Sequence, residues 1–137
     1  MFFKKKKLFD EDKLLSKVAA LLIHTAKIDE EYSHQEDKII KETMLELGVK
    51  QDKLEMIIEE AKKMEANSNQ ILDFTKEVKN LEEQKKIRII EVLWQIIYSN
   101  KVADMYETNL MRRLGGLLYI DTKIMGDIKD KIKNKNS

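Results

Sequence analysis

Cysteine and proline are both absent from this chain, and glycine occurs only four times. Without cysteine there can be no disulfide, no thiolate metal site and no cysteine nucleophile, and this composition suits a reducing compartment. Proline ends helices and glycine weakens them, so the scarcity of both favours long helices joined by short turns.

The sequence also lacks a long apolar run and a dominant sign of charge. No apolar stretch approaches the roughly 20 residues that a membrane-spanning helix needs. The 26 basic and 25 acidic residues leave a formal charge of +1, so no overall field attracts nucleic acid. Because 42 % of the 137 residues are apolar, the chain can bury a core as one domain. We therefore expect a cytoplasmic protein that does not bind nucleic acid.

The N-terminal segment carries aromatic residues around four lysines, from Lys4 to Lys7. The acidic residues that follow at once leave no room for the apolar region of a signal peptide. Such a basic, aromatic segment can touch an anionic membrane surface. We expect Met1 to Phe9 to be a solvated end with at most weak membrane contact. The predicted organisation is a basic segment (1–11), one helical domain (12–132) and a polar tail (133–137).

Apolar residues recur at helical spacing in seven segments, which predicts an all-α fold. The first segment runs from about Asp12 to Ile28, and the fifth is apolar on most sides, as expected of a buried helix. We expect these two helices to form the centre and to bury Leu22, Ile23, Leu93 and Trp94. The other predicted helices begin after Ser33, Asp52, Ser68, Asp104 and Asp121.

The two halves of the chain match when the sequence is shifted by 71 residues. The helix-start pattern Ser33-x-x-Glu36 then falls on Asp104-x-x-Glu107, and apolar positions coincide over three helices. We predict two three-helix units related by a pseudo-twofold around helices one and five, with the fourth helix as connector. Matching apolar pairs are Ile39 with Leu110, Leu47 with Leu118, Leu54 with Met125, and Ile57 with Ile128.

Each half contains an acidic or amide residue near the end of one helix and a glutamate in the first turn of the next. These pairs are Asp29 with Glu36, and Asn100 with Glu107. Carboxylate and carbonyl oxygens are the ligands that Mg²⁺ and Ca²⁺ prefer. His24 could add a nitrogen ligand for Zn²⁺. The sequence thus offers a divalent-cation site in each of the two loops.

A purely structural interpretation explains the same residues. Ser33 with Glu36, and Asp104 with Glu107, have the spacing of capping boxes, in which the glutamate reaches back to the N-cap amide. A similar spacing predicts a third box at Asp52 and Glu55, where nothing suggests a function. His24 fits a partly buried, hydrogen-bonded histidine or a favourable charge at a helix C-terminus, and we expect His34 to be exposed. The residues alone leave both interpretations open.

Catalytic motifs are missing from the sequence. It has no glycine-rich phosphate loop, no His-Glu-x-x-His, no Gly-x-Ser-x-Gly and no triad with coherent spacing. We therefore expect no catalytic residues and no enzymatic activity. Gly115 and Gly116 lie within an apolar helical pattern, which favours close helix packing over ligand binding.

The two loops resemble a motif of the TerB-like tellurite-resistance family, Ala-Asp-Gly followed by a variable stretch and Glu. Here Ile28-Asp29-Glu30 through Glu36 corresponds to the first copy, and Ser99-Asn100-Lys101 through Glu107 to the second. The segments Leu93-Trp94 and Glu107-x-x-Leu110-x-Arg112-Arg113 are similar to the stand-alone bacterial branch. The resemblance covers roughly Leu14 to Ile132.

Membership of this family implies an all-α pseudo-twofold fold and a divalent-cation site at Asp29 and Glu36. Asn100 and Glu107 correspond to a second site that is degraded, because an aspartate is lost and Lys101 adds positive charge. Glu30 and Lys101 also replace the motif glycines, so we expect at most one weak site, for Ca²⁺, Mg²⁺ or Zn²⁺.

The family further implies a non-enzymatic accessory role in tellurite resistance or stress response, with another, unidentified protein as partner. The alternative is a metal-free interaction module, like the TerB-like domains fused to DnaJ-type co-chaperones.

Overall fold

The structure is a computed structural model that describes the backbone of residues 2–27, 34–68, 71–98 and 105–135. It describes the side chains of these ranges from residue 12 in the first and from residue 107 in the last. Within them the chain forms seven α-helices and no strand, which confirms the all-α prediction. The helices are α1 (Phe2–Ala26), α2 (His34–Glu46), α3 (Leu54–Ala66), α4 (Leu72–Thr75), α5 (Glu83–Tyr98), α6 (Met105–Leu117) and α7 (Thr122–Lys135).

The two terminal helices are longer than predicted. Helix α1 begins at Phe2 rather than near Asp12, and α7 continues to Lys135, into the segment predicted as a polar tail. Both extensions are rich in lysine, a good helix former, and contain no proline or glycine. Apolar periodicity therefore located the main part of each helix and missed its lysine-rich extension.

The connections around α3 and α4 also differ from the prediction. The capping box at Asp52 and Glu55 is wrong, because a 3₁₀ turn at Gln51–Lys53 leads directly into α3 and places Asp52 inside the turn. The fourth predicted helix is reduced to the single turn of α4, followed by a second 3₁₀ turn at Val78–Asn80. By contrast, Asp121 caps α7 as expected, since its Oδ1 accepts the N–H of Lys123 at 2.9 Å.

Helices α1 and α5 form the centre of the molecule, as predicted. Helix α1 packs against α2, α3, α4 and α5, while α5 also contacts α2 and α7. Every side chain from Val18 to Ile23 is fully shielded from solvent. The four predicted core residues, Leu22, Ile23, Leu93 and Trp94, are all buried. Removal of this apolar surface from water is the main stabilising contribution to the fold.

Helix bounds repeat along the chain at the predicted offset. Helix α2 covers residues 34–46 and α6 covers residues 105–117. Each end of α6 therefore lies 71 positions after the corresponding end of α2. In the first half α2 ends in a Schellman motif at Gly48, which has a φ of +109°. There the N–H of Val49 donates to the Met44 carbonyl at 3.0 Å, and that of Gly48 to Leu45 at 3.1 Å.

The same motif ends α6, with Tyr119 in the place of glycine and a φ of +59°. The N–H of Ile120 donates to the Gly115 carbonyl at 2.9 Å, and that of Tyr119 to Gly116 at 3.3 Å. Both turns therefore share their hydrogen-bond pattern at equivalent positions. A pseudo-twofold superposition of the two complete halves stays a prediction.

We expect opposite stability effects from exchanging side chains at these two turns. A left-handed conformation costs a residue with a Cβ roughly 1–2 kcal/mol. Tyr119→Gly should therefore raise the free energy of unfolding, by about 0.5–1 kcal/mol because the exposed ring has little packing to lose. Gly48→Ala should lower it by about 1 kcal/mol. Urea unfolding of the two variants measures both values, and a shift in the same direction would contradict the shared motif.

Candidate functional site

Glu36 and Glu107 occupy equivalent positions in the sequence repeat, and both are buried. Glu36 is the third residue of α2 and Glu107 the third residue of α6, with 5 % and 2 % of their surfaces exposed. Glutamate is seldom buried so deeply in proteins. In both positions the amino-terminal end of the helix dipole stabilises the negative charge. The structure thus places two shielded carboxylates at equivalent helix starts, each directly after one of the two predicted loops.

The partners predicted for these glutamates lie outside the described residues. This applies to Asp29 and Ser33 in the first half, and to Asn100 and Asp104 in the second. Within the described ranges, no three or more His, Cys, Asp or Glu side chains are grouped so that they could hold a metal ion. The structure therefore positions one predicted ligand from each loop, and the pairing of Asp29 with Glu36 stays a prediction.

His24 is partly buried at the end of α1 and contacts a residue that the sequence did not suggest. Its Nδ1 lies 3.4 Å from Oε1 of Glu65, while Nζ of Lys27 lies 2.9 Å from the other carboxylate oxygen. The imidazole ring also approaches Phe74, at 6.2 Å between centroids. His24 is thus a partly buried histidine with a polar partner, which is what the structural interpretation of the sequence predicted. His34, in contrast, is exposed.

Glu65 was missed because it follows His24 by 41 positions. Helices α1 and α3 run in the same direction along each other. Lys53, just before α3, contacts Asp12 near the middle of α1, and Glu65 contacts His24 near the ends of both helices. Only this packing brings Glu65 to the end of α1, and no local pattern in the sequence indicates it.

One aromatic residue of the second half, Tyr98, interacts electrostatically with Glu107. Tyr98, the last residue of α5, stacks on Trp94 with centroids 5.5 Å apart. Burial raises the pKa of the Tyr98 phenol, and the negative charges of Asp130 and Glu107 raise it further. The structure therefore favours the neutral phenol, because an ionised Tyr98 would be repelled by both carboxylates. The equivalent position in the first half is Lys27, whose Nζ pairs with Glu65, so the two halves differ in chemistry at this position.

Comparison with protein families identifies the class to which this fold belongs. The family model for tellurite resistance protein TerB matches residues 15–130, which is most of the chain. The chain therefore belongs to the TerB family, which confirms the family to which the sequence showed a resemblance. Comparisons with curated proteins and with solved structures give no match. Among the described residues, no helix is long and apolar enough to cross a membrane.

Proposed function

We propose that this TerB-family member is a non-enzymatic accessory protein that binds a divalent cation weakly at the loop between α1 and α2. The observation that supports this most directly is the burial of the Glu36 carboxylate at the end of that loop. A charge shielded from water interacts more strongly with an ion, because the effective dielectric constant there is lower. The role in tellurite resistance or stress response that the family suggests is part of the same proposal.

The donor atoms of the loop suit a hard cation. Asp29 and Glu36 supply carboxylate oxygens, and the end of α1 leaves backbone carbonyls without helical partners. The second loop offers Glu107 but has Asn100 and Lys101 in place of the motif's Asp-Gly, so it contributes less negative charge. One weak site for Ca²⁺, Mg²⁺ or Zn²⁺ follows from this difference.

Cation binding should raise the melting temperature of the protein. An ion that binds only the folded state stabilises it by about 2.7 kcal/mol at a hundredfold excess over its Kd. We expect a rise with at least one of Ca²⁺, Mg²⁺, Mn²⁺ and Zn²⁺ in a thermal-shift titration. Asp29→Asn should abolish the rise, while Asn100→Ala, the matched change in the other loop, should leave it almost intact.

The capping interpretation predicts a different result from the same measurement. In that case Glu36→Gln is mild because glutamine still completes the box, and Ser33→Ala costs about 1 kcal/mol whether or not an ion is present. A flat thermal-shift screen, together with isothermal titration that detects no heat, would exclude the cation site.

A metal-free interaction module is the second candidate function. It is favoured by the exposed side of α6, where Arg112 and Arg113 face solvent. This candidate does not depend on the cation, because neither arginine is among the predicted cation ligands.

A further inference from the structure

One side of α6 exposes polar and basic residues at helical spacing. Asn109, Arg112, Arg113 and Gly116 are exposed, and their spacing of three, four and seven places them on one face. The opposite face is buried against the core through Leu110, Met111, Leu114 and Leu118. The exposed residues thus form a continuous stripe along the helix.

The charge of this stripe is of one sign. Residues 108–120 contain no acidic residue, and the Glu107 carboxylate at the helix start is buried. Neither arginine forms an ion pair with any residue that the structure describes. Helices α1, α2, α3, α5 and α7 all contribute side chains to such pairs.

Arg88, the only other arginine of the chain, binds a carboxylate within the protein. Its Nε and Nη2 atoms lie 2.7 and 3.1 Å from the two carboxylate oxygens of Glu46. This contact lowers the pKa of Glu46, chiefly through the hydrogen bonds and also through the positive charge of Arg88. Arg112 and Arg113 have the same capacity for paired hydrogen bonds to a carboxylate and do not use it within the described chain.

Tyr119 continues the stripe beyond the end of α6. The ring is 69 % exposed, and Nζ of Lys79 lies 5.7 Å from its centroid. Its positive φ is a conformation that glycine would adopt at lower cost. An exposed aromatic residue in a strained conformation is a reason to look for a function.

Gly116 has no side chain, so it leaves a gap on the surface between the arginines and the Tyr119 ring. A Cβ built on Gly116 would meet no described atom within 4 Å, so another backbone can approach closely there. We call Arg112, Arg113, Gly116, Tyr119 and Lys79 the α6 basic face.

We propose that the α6 basic face docks an acidic segment of a protein partner, with carboxylates spaced to meet Arg112 and Arg113. Guanidinium groups bind carboxylates through two parallel hydrogen bonds, and arginine and tyrosine dominate binding energy at protein interfaces. The stripe from Asn109 to Tyr119 is about 15 Å long, which fits roughly three helical turns of a partner. This inference deepens the interaction-module candidate and does not require a cation.

The test measures fluorescence anisotropy with the full chain and a short fluorescein-labelled peptide of glutamate, leucine and alanine. We expect the glutamate peptide to bind and the same peptide with glutamine in place of glutamate to bind much more weakly. The double change R112E with R113E should weaken binding about tenfold or more. The double change Arg112→Gln with Arg113→Gln should also lower the affinity for the peptide. It provides the test if the charge-reversed variant does not fold.

The matched control reverses two exposed lysines near α2. Lys38→Glu with Lys50→Glu changes the net charge by the same amount and should leave the affinity almost unchanged. Replacing Lys4 to Lys7 with glutamine tests the basic N-terminus in the same way. Tyr119→Gly should weaken binding while it stabilises the fold, so its two effects separate docking from folding.

Several results would overturn the proposal. One is an equal loss of affinity in the α2 control, which would indicate general charge attraction. Another is tighter binding of the wild-type protein to phosphatidylglycerol vesicles or to a single-stranded oligonucleotide than to the peptide. Each anisotropy titration is repeated with EDTA and with Mg²⁺. Peptide binding should be the same in both, because docking does not require a cation. The thermal-shift titration tests the cation site separately, so the two proposals can fail independently.

Discussion

Replacement of Trp94 with alanine is expected to lower the free energy of unfolding by about 3–5 kcal/mol. Trp94 lies in the central helix α5 and is only 3 % exposed, and its ring stacks on Tyr98. Nζ of Lys129 covers the ring at 5.5 Å from its centroid. Truncation therefore removes both a large apolar surface and the support for two neighbouring side chains. Urea unfolding followed by circular dichroism measures the loss.

Trp94→Phe is the control that separates packing from hydrogen bonding. The indole Nε1 is buried and has no hydrogen-bond partner in the part of the chain that the structure describes. Phenylalanine removes this unsatisfied group and keeps most of the apolar ring, so we expect a loss of only about 1 kcal/mol. If Trp94→Ala melts like the wild type, Trp94 does not contribute to the core. If Trp94→Phe loses as much free energy of unfolding as Trp94→Ala, the indole Nε1 forms a stabilising hydrogen bond.

The second large effect is expected at Lys86, a buried lysine in α5. Its Nζ donates a hydrogen bond of 2.9 Å to the carbonyl of Leu118, just after α6, and lies 3.4 Å from Glu83. Lys86→Met keeps the aliphatic part of the side chain and leaves this carbonyl without its charged donor. We expect a loss of about 1.5–3 kcal/mol in the free energy of unfolding.

Lys85→Met is the matched control for this effect. Lys85 is the preceding residue of α5 and is exposed, so its replacement should change the stability by no more than about 0.5 kcal/mol. Similar losses in the two variants would mean that the hydrogen bond from Lys86 to Leu118 contributes little to the attachment of α6.

The positions of the two site glutamates within their helices were predictable from the sequence. Glu36 and Glu107 follow from a local pattern, because a glutamate three positions after a cap residue belongs to the first helical turn. Their burial was not predictable from that pattern, since the same spacing at Asp52 and Glu55 produced neither a cap nor a buried carboxylate. Which glutamate is shielded depends on the helices that pack around it.

The α6 basic face was likewise only partly predictable from the sequence. Its arginines appear in the sequence as part of a family resemblance, and their helical spacing with Gly116 is visible there too. Their exposure and their lack of ion pairs within the described chain became visible only when the neighbouring helices were in place. The contact between Lys79 and Tyr119, 40 positions apart, likewise required the packed structure.

Local sequence patterns predicted the all-α class, the central positions of α1 and α5, and the starts of α2 and α6. These features follow from local physics, because apolar periodicity and turn residues such as Gly48 act within a few positions of one another. The contacts of His24 with Glu65 and of Lys86 with Leu118 arise from helix packing and could not be predicted from local patterns. Such contacts join residues more than 30 positions apart, and their geometry depends on how whole helices pack against each other.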